Sequence, residues 1–150
     1  KAGFLKSAIE EDFKSEASVK KQKHRQEDIK RAEKRQNETE LEMFRKLLKE
    51  EEQEHRIWCQ QQVHEALKGR SEEEQQRLYS EFRASLESRI YAMDFDKKGW
   101  NSSLVFPDVC RFWANEGLVL PALPEFTLER RMPHPDIIRD EIKRLEALIG

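Results

Sequence analysis

The sequence has few of the residues that end helices, form turns or cross-link a chain. It contains five glycines, five prolines and two cysteines among 150 residues. Two widely separated cysteines, Cys59 and Cys110, exclude a disulfide-dense scaffold and are typical of thiols in the cytoplasm. No apolar run approaches the ~18 residues that a membrane span needs. The sequence therefore predicts a cytoplasmic protein without a membrane segment.

Charge is plentiful and unevenly distributed. Hydrophobic residues make up 37% of the chain and charged residues 39%, which predicts a modest core and a part of the chain that lies in water. The net charge of −2 indicates no partner by itself. Between Lys14 and Gln36, however, nine lysines and arginines stand against four acidic residues, whereas acidic residues outnumber basic ones fifteen to nine between Asn37 and Asp96.

The first half of the chain is predicted to be helical. From Lys14 to Lys68 there is no glycine or proline, and helix-forming charged residues and glutamine dominate, so the pattern predicts one long helix or two consecutive helices. Gly69 ends this region, and Ser71 with Glu74 matches a capping box that starts the next helix. That helix is predicted over residues 72–93, because apolar residues form one stripe there: Leu78, Phe82, Leu86, Ile90 and Met93.

The second half is divided by its prolines and glycines. The run "FPDVCRFWANEG" predicts a short helix with Pro107 in its first turn and Gly117 at its end. The run "LVLPALPEF" predicts an extended connector. The last segment predicts a helix with Pro135 near its start and the following buried stripe: Ile138, Ile142, Leu145 and Ile149.

The predicted fold class is therefore all-α, with a long charged helical arm that leads into a small helical bundle with a Pro-rich connector. Residues 1–70 are expected to hold an amphipathic first helix and the arm, and residues 71–150 the aromatic-rich bundle. The stripe of the first helix comprises Phe4, Leu5, Ala8, Ile9 and Phe13.

Motifs for chemistry are weak. "DFDKKG" resembles the start of a calcium loop, but Lys98 and Val105 occupy two ligand positions, so a helix end followed by a turn is the better interpretation. His55 and Cys59 have the spacing of a zinc pair and His64 lies further along, but a second matching pair is missing. The sequence predicts no catalytic residue, metal or cofactor and no small-molecule substrate. A small metal-dependent or acid–base enzyme that uses His55 and Cys59 remains a weaker alternative.

The basic stretch is the most informative physical signal. A basic helix can follow the phosphates of duplex DNA by counterion release, and it lacks the aromatic residues that stack on single strands. The alternative is a solvent-exposed helix whose acidic and basic side chains only keep it soluble and bind no DNA. The residues predicted to contact the DNA backbone are Lys20, Lys21, Lys23, Arg25, Lys30, Arg31, Lys34 and Arg35.

Apolar residues further along the chain suggest a contact with another protein or a second copy. The predicted protein interface consists of Leu41, Phe44, Leu48 and Trp58. The tryptophans Trp58, Trp100 and Trp113 are core residues in the simplest interpretation, and a binding patch if they are exposed together.

The first thirteen residues, "KAGFLKSAIEEDF", resemble the segment that ends the winged-helix region in plasmid and phage replication initiator (Rep) proteins. The matching residues are Lys1, Ala2, Gly3, Phe4, Leu5, Ala8, Ile9, Asp12 and Phe13. In that family a helical extension rich in Lys, Arg, Gln and Glu follows, as it does here. The resemblance implies the C-terminal region of an initiator, whose DNA-reading winged-helix domain would lie upstream. Two alternatives stay open for residues 1–13: they fold back onto the bundle, or they belong to that upstream domain. The run from Gly99 to Phe126 matches no initiator motif.

The predicted function is a non-enzymatic C-terminal helical module of a DNA replication initiator. It would associate with itself, as a dimer, or with replication proteins, and its basic arm would lie on double-stranded DNA. The alternative is a structural helical adaptor or coiled-coil scaffold without a nucleic-acid role, which dimerises through the stripe from Leu41 to Leu67.

Overall fold

The computed structural model describes the backbone of residues 2–150 and the side chains of residues 15–150. Lys1 and the side chains of the predicted stripe between Phe4 and Phe13 lie outside the described residues. The fold is all-α, as predicted: one long N-terminal helix is followed along the chain by shorter helices, and no strand occurs among the described residues. The helices are α1 (Ala2–Lys68), α2 (Glu72–Ser85), α3 (Arg89–Lys98), α4 (Phe106–Asn115), α5 (Leu123–Glu129) and α6 (Pro135–Ile149).

The question of one helix or two is resolved in favour of one, because α1 is continuous. Nothing within it interrupts the backbone hydrogen bonds, since residues 14–68 contain no proline or glycine and are rich in good helix formers. The helix ends before Gly69, where the Arg70 amide donates to the Leu67 carbonyl at 3.0 Å.

The predicted start of α2 is confirmed. The Ser71 hydroxyl accepts a hydrogen bond from the Glu74 backbone amide at 3.2 Å, as an N-cap does. The Gln75 side chain also donates to the carbonyl oxygen of Leu67 at 2.7 Å and to that of Arg70 at 3.1 Å. The short connection between α1 and α2 is thereby held by side chains as well as by backbone.

The prediction of a single helix over residues 72–93 is wrong. Leu86 is extended (φ −78°, ψ 112°), and Ser88 caps a new helix by accepting from the Tyr91 amide. Because the break rotates α3 relative to α2, the predicted stripe does not continue. Ile90 is 70% exposed and Met93 62% exposed.

The connector prediction is wrong in its second half. Residues 118–122 are not helical, but Leu123–Glu129 form α5 with Pro124 in the first turn, where proline costs a helix no hydrogen bond. The helices predicted around Pro107 and after Pro135 are confirmed as α4 and α6. Gly117 ends α4 in a left-handed conformation (φ 90°), and the next amide, of Leu118, donates to the Trp113 carbonyl.

Backbone contacts divide the chain into two units. One runs to Arg45 and includes Asp140–Gly150, and the other comprises Lys46–Arg139. The predicted division at residues 70 and 71 stays a prediction.

In the second unit a buried core joins parts of α1, α2, α3 and α4, and its members are Val63, Leu67, Leu78, Phe82, Phe95, Trp100, Val105, Val109 and Trp113. Trp100 and Trp113 are therefore core residues, whereas Trp58 is 37% exposed.

The first unit contains a smaller packed region. Leu41 is 7% exposed and Leu145 is fully buried. Arg45 donates to the Glu146 carboxylate at 2.8 Å, which ties α1 to the end of α6. None of the described helices combines the length and the apolar character that crossing a bilayer requires.

Candidate nucleic-acid interface

The candidate interface is residues 20–35 of α1, here called the basic segment. It carries eight cations and three carboxylates, Glu27, Asp28 and Glu33, so its formal charge is +5 with neutral histidine. The whole segment is helical. At 1.5 Å per residue it is about 24 Å long, which is most of one turn of a DNA duplex.

Every side chain of residues 15–36 is exposed. The segment is thus not covered by any other described part of the chain, on any side of the helix. All eight cations predicted to contact DNA lie in this exposed stretch, so a rigid partner can reach them without a change of fold.

The cations are not evenly spread around the helix. Successive residues are rotated by about 100°, and on this basis five cations fall within an arc of about 100°. We call this arc the cationic face, and its members are Lys20, Lys23, Lys30, Arg31 and Lys34. Glu27 is the only acidic residue of the basic segment in the same arc, so the face carries a formal charge of +4.

The opposite side of the basic segment carries fewer cations. By the same rotation Lys21 and Arg25 lie there with Gln22, Ile29 and Ala32, and Ile29 is 57% exposed. Lys21, Arg25 and Arg35 lie outside the cationic face. This uneven distribution of cations around the helix axis can be calculated from the sequence. A count of charges along the chain does not reveal it.

The cations of the basic segment are not engaged by carboxylates in the described part of the chain. The ion pairs there begin at Arg45 and Lys46, and none involves a residue of the segment. Elsewhere arginines are well paired: Arg83 holds the Asp96 carboxylate with two hydrogen bonds, of 2.7 and 2.8 Å. The segment therefore offers positive charge that no described carboxylate neutralises by direct contact.

The residues predicted as a protein interface differ in exposure. In the first unit Leu41 is buried and Phe44 half-buried. In the second unit Leu48 is half-buried, and Trp58 lines a pocket of about 430 Å³ with Ile57 and Phe126. The ring centroids of Trp58 and Phe126 are 6.0 Å apart, so the exposed indole rests on a fixed aromatic neighbour.

The zinc candidates do not converge on one point. His55 donates from Nε2 to the Pro121 carbonyl at 2.7 Å, and His64 Nε2 lies 2.8 Å from the Asn101 side-chain oxygen. Cys59 is completely buried. Among the residues with described side chains, no group of three His, Cys, Asp or Glu side chains is arranged to hold a metal ion.

The carboxylates of "DFDKKG" are engaged within the protein. Asp94 accepts from the Ser102 hydroxyl, and this bond together with nearby Lys98 lowers the pKa of Asp94. The hydrogen bonds from Arg83 lower the pKa of Asp96. Both residues belong to α3, which ends at Gly99 in a positive-φ conformation (63°). The prediction of a helix end followed by a turn is confirmed.

No protein-family model, curated protein or solved structure matches this chain. The function is therefore inferred from the residues and their geometry.

Proposed function

We propose that the chain is a non-enzymatic helical module that binds the phosphate backbone of double-stranded DNA through the cationic face of α1. The observation that carries this proposal is an exposed helix with five cations in an arc of about 100°. A charged helix that only needs to stay in solution has no reason to place five of its eight cations in one such arc.

The energetics follow from counterion release. Each phosphate that a lysine or arginine neutralises releases condensed cations from the duplex, which favours binding at low salt. Contacts of this kind position a protein and do not read the base sequence. The segment has no Phe, Tyr or Trp to stack on unpaired bases, so duplex DNA is the preferred ligand over single strands.

The setting we propose is replication initiation in the cytoplasm. It rests on the resemblance of residues 1–13 to the end of the winged-helix region of Rep proteins, in which a separate domain reads the DNA sequence. The cationic face would then add affinity to an already positioned initiator. A contact with a replication protein or a second copy is the accompanying role, and the exposed Trp58 at its pocket supports it.

Two matched triple variants test the proposal. One replaces Lys20, Arg31 and Lys34 of the cationic face with glutamine, and the other replaces Lys21, Arg25 and Arg35 outside it. Both variants remove three positive charges from the same helix. Fluorescence anisotropy of a labelled duplex is followed across a salt series for each.

The face variant is expected to lose affinity and to flatten the slope of log K against log salt by about 2.7, since each phosphate contact contributes about 0.9. The other variant should change the slope by less than about one unit. Equal effects of the two variants would show that total charge, not the cationic face, is responsible. Absence of binding by the unsubstituted chain at low salt would leave the scaffold alternative, which the oligomeric state then tests.

A further inference from the structure

The only two cysteines of the chain lie on different helices of the second unit. Cys59 belongs to α1 and is fully buried, and Cys110 belongs to α4 and is half-buried. Both are free thiols in this structure. Their separation along the sequence gives no hint that they meet.

The packing of α1 against α4 places the two thiols opposite each other. One turn before Cys59 is His55, and one turn before Cys110 is Phe106; the centroids of these two rings are 5.7 Å apart. One turn after the cysteines, Val63 of α1 and Trp113 of α4 share the buried core. Because the contacts on both sides match in register, Cys59 and Cys110 occupy facing positions between them.

The two thiols are also close enough for each to shift the pKa of the other. Helices that pack directly have axes about 8–10 Å apart, a spacing at which facing Cα atoms can reach the ~4.4–6.8 Å range that a disulfide requires. Facing positions on α1 and α4 are therefore compatible with a bond between the two sulfurs.

The two cysteines are chemically unequal. The neighbouring Cys59 thiol and the nearby Arg111 guanidinium lower the pKa of Cys110, which favours the nucleophilic thiolate. The contact with Cys110 and burial raise the pKa of Cys59, which keeps its proton. The more exposed sulfur, of Cys110, is thus the more reactive one, and the neighbouring Cys59 thiol stays protonated.

We propose that Cys59 and Cys110 are a redox modification site, at which a peroxide converts the two thiols into an intramolecular disulfide that links α1 to α4. The Cys110 thiolate attacks the peroxide, the O–O bond breaks, and Cys110 becomes a sulfenic acid while the peroxide is reduced to an alcohol or water. The Cys59 sulfur then attacks the Cys110 sulfur, and the hydroxyl leaves as water with the Cys59 proton. Two thiols are oxidised by two electrons for each peroxide reduced.

The test uses the reduced full chain and stoichiometric hydrogen peroxide, followed by alkylation of the remaining thiols. Intact mass should show the loss of two hydrogens and no alkylated cysteine. Peptide mapping should recover one peptide pair that contains both residues, and dithiothreitol should reverse the change. The urea midpoint should rise on oxidation, because the bond constrains the unfolded chain between residues 59 and 110.

Two single variants separate the roles of the sulfurs. Cys59→Ala should leave a Cys110 sulfenic acid that dimedone traps, and Cys110→Ala should leave Cys59 unmodified at the same peroxide dose. The proposal is overturned if the unsubstituted chain forms only dimers through Cys110, or a Cys110 sulfinic acid with Cys59 still free to be alkylated. Mapping of the unsubstituted chain decides this even if a variant does not fold.

Discussion

The basic segment and the core of the second unit are both helical, but different forces hold them. In residues 15–36 every side chain is exposed, whereas Phe82, Phe95 and Trp113 have no exposed surface. Isolated helices are marginal in water even with good helix formers, so the first region depends on backbone propensity. The second depends on buried apolar area. Equal secondary structure therefore implies neither equal stability nor equal function.

The core is dense in aromatic contacts. The ring centroids of Phe82 and Phe95 are 4.8 Å apart, and those of Trp100 and Trp113 are 5.5 Å apart, each pair edge to face. Such geometry adds to the gain from burial. The surface proposed to bind DNA cannot use this kind of stabilisation, since its charged groups lie in water when no partner is bound.

The largest expected difference between the two regions is in hydrogen exchange. Amides of residues 15–36 open locally at little cost, whereas amides near Phe82 and Val109 exchange only when the core opens. We expect exchange about a thousandfold or more slower in the core, measured by mass spectrometry of peptic peptides. Core-like protection of residues 15–36 in the isolated chain would mean that another molecule covers them, and would favour the dimeric scaffold.

Removal of a core tryptophan should have the next largest effect. Trp113→Ala leaves a cavity in the core and should cost about 3–5 kcal/mol of unfolding free energy, read from urea denaturation. The matched control is Trp58→Ala at the half-exposed site, which should cost clearly less. Comparable losses from the two variants would contradict the division between core and surface tryptophans.

Loss of the N-cap of α2 should lower the free energy of unfolding by less than the loss of Trp113. Ser71→Ala removes the acceptor for the Glu74 amide, and we expect a loss of about 1 kcal/mol in unfolding free energy. Ser80→Ala, in the exposed middle of the same helix, is the control and should be near neutral. A neutral result for Ser71→Ala would show that the Gln75 bonds alone fix this helix start.

The smallest expected effect is a loss of stability at acidic pH. Because its pKa is lower in the folded state, Asp96 contributes stability that is complete above its ordinary pKa of about 4 and is lost as the pH falls through the lower, folded value. Urea midpoints should therefore decrease below about pH 4. Asp96→Asn should show a shallower decrease, with Asp136→Asn at an exposed helix start as the comparison. Identical acid profiles for Asp96→Asn and the unsubstituted chain would remove the role given to Arg83.

Local signals predicted much of the fold, and their failures have physical causes. The N-cap at Ser71 and the stop at Gly117 are predicted correctly because both act within one turn. The apolar stripe through Ile90 was misleading, since periodicity continued across a break that Ser88 marks as a new N-cap. Pro124 by itself predicts an extended chain, but it lies in the first turn of α5. The facing positions of Cys59 and Cys110 depend on tertiary packing and were not predictable.

The most direct test of the central claim is the salt dependence of binding between the unsubstituted chain and a duplex. With four or five phosphate contacts from the cationic face, log K should fall against log salt with a slope of about −4. The slope should be the same for duplexes of unrelated sequence, because the contacts are to the backbone. A slope near zero, or no binding at low salt, would contradict the account and leave the basic segment as a solvated helix.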